Sequence, residues 1–179
     1  MTVQIVYETH STTEDNEAGR ATGWLPGRLS EEGHRNAVAL GQRRRKDGID
    51  AIFCSDLARA RETVAIAFEG MSIPIFLDWR LRECDYGDQN GGPVATMHPE
   101  RGAHLDVPYP NGESWRQAVD RVIGFVDTLP SRWDGKRILV VGHVATRWGL
   151  DCRPGGRKLE DLMAEEFAWQ EGWEHRLER

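Results

Sequence analysis

The run Arg137–Gly142 (RILVVG) is almost entirely aliphatic and ends directly on a histidine, His143. The start of the chain repeats the arrangement, since Gln4–Thr9 (QIVYET) runs straight into His10. A short apolar run bounded by polar segments reads as a strand buried on both faces, the environment of a parallel sheet. In such sheets the functional side chains gather beyond the carboxyl ends of the strands. Both imidazoles are therefore expected at one edge of one sheet, where they can meet.

The rest of the chain fills in strands and helices in alternation. Ala51–Ser55 (AIFCS) is a further buried run, followed by Leu57, Ala60, Val64, Ala67 and Phe68 on one helical face. Another strand is expected around Ile73–Leu77. Before these, Ser30 is a helix N-cap with Glu31 and Glu32 in the first turn, and Ala37, Leu40 and Gly41 keep helical spacing up to a stop at Gly48. The clearest helix carries Trp115, Ala118, Val119, Val122, Val126 and Leu129 and is closed by Pro130. This alternation predicts a three-layer α/β/α sandwich around a mostly parallel central sheet. With 179 residues and no internal repeat, one domain over residues 1–179 is expected. His10–Arg20 reads as a loop. Residues 85–111, rich in Gly and Pro and without periodicity, read as a substrate-facing excursion. The charged tail from Leu159 carries Leu162, Phe167, Trp169 and Trp173, whose expected use is packing or a homodimer contact.

Charge and cysteine usage narrow the function. A formal charge of −6 disfavours a nucleic-acid or anionic-membrane binder. The basic run Arg43, Arg44, Arg45 and Lys46 reads as a solvated cap at a helix C-terminus. The opening residues show no leader pattern and no apolar run approaches the ~18–20 residues of a membrane span, so a soluble cytoplasmic protein is expected. Cys54, Cys84 and Cys152 have no metal or disulfide spacing and read as reduced thiols. His98 and His104 lack an acidic or thiol partner at ligand spacing, so no metal is expected. Neither Gly-x-Gly-x-x-Gly nor a P-loop follows a strand, which excludes a nicotinamide enzyme.

Two more groups join the histidines. Arg59 falls in the first turn of the helix after Ala51–Ser55, where a guanidinium and free backbone N–H groups make an anion site. Glu83 is a general acid if its surroundings raise its pKa, or else an ion-pair partner of Arg82.

These residues lie within six ordered segments: His10 with Thr13 and Asn16; Leu29-Ser30-Glu31 with Gly33; Ser55-Asp56-Leu57-x-Arg59-Ala60-x-x-Thr63; Leu81-Arg82-Glu83-x-Asp85-x-Gly87; Asn111-Gly112-Glu113-Ser114; and Val141-Gly142-His143. Six fixed positions such as those of the third arise by chance in fewer than ~10⁻⁵ of windows. Over about Val3–Leu150 the series resembles the histidine phosphatase superfamily, also called phosphoglycerate mutase-like. The resemblance implies that His10 attacks phosphorus to form a phosphohistidine that water hydrolyses. It implies that Arg59 and His143 hold the phosphoryl oxygens with Asn16 and Thr13 beside them, and that Glu83 protonates the leaving alcohol and then activates water. A bell-shaped pH profile follows, and no cofactor or metal is required. The implied substrate is a small phosphate ester. The alternatives are a catalytically weakened relative that binds a phosphorylated ligand or protein, a phosphoprotein phosphatase, and a phosphoglycerate mutase-type phosphotransferase.

The chain departs from the family at three places. Thr9 and Ser11 stand where the family has Arg and Gly around the first histidine, and Val144 follows the second histidine in place of Gly. A charge-assisted contact of roughly 1.5–3 kcal/mol is thereby missing, and Arg147, or else Arg20, is expected to replace it. The selective wall is expected from Gly19–Leu29 and residues 85–111, with Trp24, Tyr86, His104 and Tyr109 facing a ligand or packing locally.

Overall fold

Period-two alternation sorts the strand side chains onto two faces, and this builds the molecule's central layers. The computed structural model describes residues 2–178. In chain order its elements are β1 (Thr2–Thr9), α1 (Glu14–Glu17), β2 (Arg20–Ala21), α2 (Glu31–Arg44), β3 (Ala51–Cys54), α3 (Ala58–Ala67) and β4 (Ile75–Leu77). They continue with β5 (Gly92–Pro93), α4 (Val94–Glu100), α5 (Trp115–Val126), β6 (Arg137–Gly142), α6 (Val144–Cys152), α7 (Leu159–Ala164) and β7 (Trp173–Glu178). The main sheet has the order β4-β3-β6-β1-β7, parallel except for β7, which runs antiparallel to β1. Val6, Ile52, Cys54, Leu139 and Val141 turn to one face and pack on Leu40, Ala60, Val64 and Ala67 of α2 and α3. Ile5, Tyr7, Phe53, Ile138 and Val140 turn to the other and meet Val122, Phe125 and Val126 of α5 and Leu150 of α6. This is the expected mostly parallel sheet flanked by helices.

Local chemistry sets the helix starts. Ser30 caps α2 by accepting from Gly33 N, and Ser114 caps α5 in a reciprocal box with Gln117. Within His10–Arg20 the structure has one helical turn, α1, capped by Thr13 in a box with Asn16, where a plain loop was expected. Residues 85–111 are likewise built rather than structureless. They contain β5, α4 and short 3-10 turns, and Tyr86, Met97 and Tyr109 bury with Cys84, Trp115 and Trp148 in a third apolar cluster. The strand expected at Ile73–Leu77 forms over Ile75–Leu77 as an exposed sheet edge.

The tail packs as expected at Leu162 and Trp173, which join the apolar clusters, while the basic run departs in part from its reading. The charged tail ends in a strand, β7, whose Trp173, His175 and Leu177 turn inward while Glu174, Arg176 and Glu178 face out. The basic run is a solvated cap only in part: Arg45 and Lys46 are exposed at the end of α2, whereas Arg43 and Arg44 both turn onto Glu8, which is 1% exposed at the end of β1. Arg43 grips it with Nε at 3.1 Å and Nη2 at 2.9 Å, and Arg44 Nε donates at 2.7 Å. The last turn of α2 passes over the carboxyl end of β1, so its cations neutralise a carboxylate that the sheet holds out of water.

Candidate active site

Register brings the two histidines together. Thr9 pairs with Gly142 across β1 and β6, so the residues that follow lie side by side, with ring centroids of His10 and His143 5.0 Å apart. His10 Nδ1 lies 2.8 Å from Ser11 O. A carbonyl only accepts, so Nδ1 carries the proton and Nε2 presents a lone pair. That lone pair faces Arg59 Nε at 3.4 Å. Loss of water in the pocket, followed by the Arg59 charge, lowers the His10 pKa to about 3.

His143 is fixed on all sides. Arg59 Nη2 lies 3.2 Å from its Nδ1, and a guanidinium only donates, so the proton sits on Nε2 and points to Ser55 Oγ at 2.8 Å. Tyr7 donates its hydroxyl to the His143 carbonyl at 2.7 Å. Burial and then Arg59 hold this imidazole's pKa well below the usual histidine range.

Arg59 lies between the two rings and is 2% exposed. Its other bonds go to Gly23 O at 2.8 Å and Leu25 O at 3.2 Å, and none goes to a carboxylate. Gly23 is required there: its φ is +57°, and a Cβ would stand 1.8 Å from Asn90 Oδ1. Thr63, one turn along α3, accepts Ser11 N at 2.9 Å and donates to Arg59 O at 2.8 Å, which ties the loop after His10 to the helix bearing the arginine. Ser11 causes no backbone strain, because Asn111 is the single non-glycine residue with positive φ among the described residues.

Glu83 sits at the N-terminus of α6. Its Oε1 accepts Cys84 N at 2.9 Å and Ala145 N at 3.1 Å, and Oε2 accepts Val144 N at 3.3 Å. Burial raises its pKa, and these amide bonds pull the other way without cancelling it. Arg82 pairs bidentately with Asp56 at 2.7 Å, so Glu83 is not its ion-pair partner. The Glu83 backbone carbonyl is held by Trp24 Nε1 and Arg121 Nη2, each at 2.7 Å.

A cavity of about 680 Å³ opens over these groups. His10, Asn16, Arg59, Glu83 and His143 line it, as do Thr9, Arg20, Tyr86 and Arg101. Thr13 is buried as the cap of α1 and lies outside the lining. Arg147 is also outside: it donates to Asp151 one turn along α6 at 2.6 Å and stacks 4.2 Å from the Trp173 ring. The expected replacement of the missing guanidinium by Arg147 is therefore not present in this arrangement. Arg20 does reach the cavity. Trp24 lies beneath Arg82, and His104 stacks on Tyr109 at 3.8 Å, so of the four aromatic wall candidates Tyr86 alone faces the cavity. No group of three or more His, Cys, Asp or Glu is placed to hold a metal among the described residues.

Sequence reasoning missed the supporting roles of Ser55 and Thr63, although both stand in the motif around Arg59; four-residue spacing from Arg59 already puts Thr63 on the same helix face. It also missed Phe167 and Trp169 as cavity lining.

The histidine phosphatase superfamily (branch 1) profile matches residues 9–168. The 2,3-bisphosphoglycerate-dependent phosphoglycerate mutase of Methylobacterium sp. (strain 4-46) is 34% identical over 184 residues, covering 94% of this chain and 86% of its own. The enzyme of the same name from Methylobacterium radiotolerans is 36% identical over 155 residues, covering 78% and 73%. Among solved structures, Bacillus stearothermophilus YhfR aligns with a TM-score of 0.82 at 28% identity, covering 94% of this chain and 88% of that one. A mycobacterial glucosyl-3-phosphoglycerate phosphatase aligns with a TM-score of 0.77 at 25% identity, covering 92% and 84%. The motifs, the sheet that presents them and these matches agree: the chain belongs to the histidine phosphatase superfamily.

Proposed function

We propose that the protein is a metal-independent phosphomonoesterase that hydrolyses a small phosphate ester through a phosphohistidine at His10. The observation that carries this reading is Arg59, a buried cation that hydrogen-bonds no carboxylate among the described residues and is held between two neutral imidazoles. Such a charge is costly to bury unless an anion joins it. The phosphoryl group of the substrate is that anion.

His10 Nε2 attacks phosphorus, and the bond to the leaving oxygen breaks as Glu83 gives that oxygen its proton. The raised pKa of Glu83 keeps this proton available. Water then attacks the phosphohistidine, Glu83 takes a proton from it, and the N–P bond breaks to restore neutral His10. Arg59 supports the charge on the transferring group throughout. With phosphate bound to Arg59, His143 serves as a donor by carrying its proton on Nδ1 while the Ser55 hydroxyl donates to Nε2. Asn16 adds a neutral donor from Nδ2.

A second reading, phosphoryl transfer between hydroxyls, is favoured by the similarity to proteins named phosphoglycerate mutase. A mutase must retain a doubly phosphorylated intermediate while it reorients. Thr9 leaves Arg59 as the buried cation at the phosphoryl position, which supports release to water instead. The test supplies 3-phosphoglycerate, with and without 2,3-bisphosphoglycerate, and separately an aryl phosphate, all in EDTA, and follows products by phosphorus NMR. Inorganic phosphate is expected from the ester pool, and none from His10→Ala. Formation of 2-phosphoglycerate outpacing phosphate release would establish the mutase. Phosphate or aryl phosphate binding without turnover of these or a panel of natural phosphoesters would establish the weakened, ligand-binding relative.

A further inference from the structure

Phe167 and Trp169 are 46% and 60% exposed, yet both line the same cavity as His10. No ring stacks on Trp169 among the described residues. Two aromatic side chains left to water cost the fold apolar surface that packing would recover, and both open into the cavity that His10 lines. We propose, on the footing of the phosphatase reading, that they form the subsite for the leaving group, and that the substrate is the phosphomonoester of an alcohol bearing a planar aromatic ring.

The wall is anchored to the strand that presents His10. Phe167 lies 6.1 Å from Trp173, and Trp173 lies 5.5 Å from Tyr7 of β1. Arg147, outside the cavity lining, stacks its guanidinium 4.2 Å from the Trp173 ring. The segment that carries the pair is also tied at each end. Arg101 donates to Met163 O at 2.7 Å and Glu165 O at 3.1 Å, and Arg44 donates to Glu171 O at 3.0 Å. The distance between ring wall and nucleophile is thus set by packing.

The remaining lining fits a ring with a polar edge. Ala39 and Leu40 give apolar contact, Asn36 commits Nδ2 to Thr12 Oγ1 and offers its amide oxygen, and Arg43 commits Nε and Nη2 to Glu8 while Nη1 has no bond among the described residues. About 680 Å³ is far more than a phosphoryl group fills and lies within the ~300–1,000 Å³ of small-molecule sites.

The test compares 2-(1-naphthyl)ethyl phosphate with n-butyl phosphate, two esters of primary alcohols of similar acidity, so that a difference reports binding of the ring. Wild type is expected to favour the naphthyl ester in kcat/KM, mainly through KM. Trp169→Ala and Phe167→Ala should each cut that preference roughly three- to tenfold, with Trp169→Phe retaining most of it. Affinity for 2-(1-naphthyl)ethylphosphonate, measured by calorimetry on the same proteins, reads the subsite without turnover. If neither ester turns over but phosphonate affinity falls in Trp169→Ala, the catalytic reading fails and the subsite stands. If both esters turn over with equal efficiency in wild type, or if Trp169→Ala leaves preference and phosphonate affinity unchanged, the subsite is wrong and the catalytic reading stands.

Discussion

Arg59 spends its hydrogen bonds on two carbonyls and two histidines, and this makes the site an acceptor of anions. Arg59→Met should lower kcat/KM by roughly 10²–10³, the usual consequence of removing a donor that supports transition-state charge. Phosphate affinity, read by competitive inhibition, should fall with it. Unchanged inhibition would move the anion site elsewhere. Glu83 sets the pH behaviour. Its folded pKa is raised, so the acid form needed for leaving-group protonation is lost as pH climbs through that value. His10 stays neutral down to about 3. The acid arm of the expected bell then lies below the working range, and kcat/KM should show a plateau followed by a descent as Glu83 loses its proton. Glu83→Gln should abolish the descent and leave a residual rate on activated aryl esters, whose leaving groups need no proton. A descending limb that survives in Glu83→Gln would assign the acid to another group.

At the scale of elements, the clasp of Glu8 by Arg43 and Arg44 joins the end of β1 to the end of α2. Glu8→Ala leaves the Arg43 guanidinium without its carboxylate and Arg44 with Asp47 alone, at 2.8 Å, and should cost roughly 3 kcal/mol in urea unfolding. A loss below about 1 kcal/mol would show the clasp to be no stronger than a surface pair. The same clasp explains why sequence reading misplaced these arginines: their partner is a glutamate 35 residues or more distant, buried inside an apolar run where charge is not expected. Elements with a continuous apolar run or a clear helical period were legible, as β1 and β6 on the one hand and α5 on the other demonstrate. Residues 85–111 were not, because their order comes from turns and buried tyrosines without repeat. β7 was hidden by charges at every outward position. The site was legible where chemistry fixes spacing, at His10, Arg59 and His143. It was illegible where contacts are distant in sequence: Arg147 is drawn off by Asp151 and Trp173, and Phe167 and Trp169 reach the cavity through the return of the tail to β1.

For the whole molecule, two neutral imidazoles held at the sheet edge couple folding to pH. The folded His10 pKa is about 3 and that of His143 is also depressed, against about 6.5 in an unfolded chain. Between those values the unfolded state binds protons that the native state refuses. Stability is therefore complete above about pH 6.5 and falls as pH drops through that value toward 3. Urea midpoints should decline steadily from neutral to acid pH, and His10→Asn should flatten part of that slope. A midpoint that rises on acidification would contradict the neutral-histidine assignment. The same neutrality leaves His10 Nε2 free to attack, so stability and catalysis rest on one protonation state. The most direct test of the account is rapid-quench trapping with a phosphate ester labelled in its phosphoryl group, in EDTA. The account predicts a transient phosphoenzyme, labile to acid and stable to base, with the label on His10 and absent from His10→Ala. Turnover at an undiminished rate in His10→Ala, or label carried by any other residue, would contradict it.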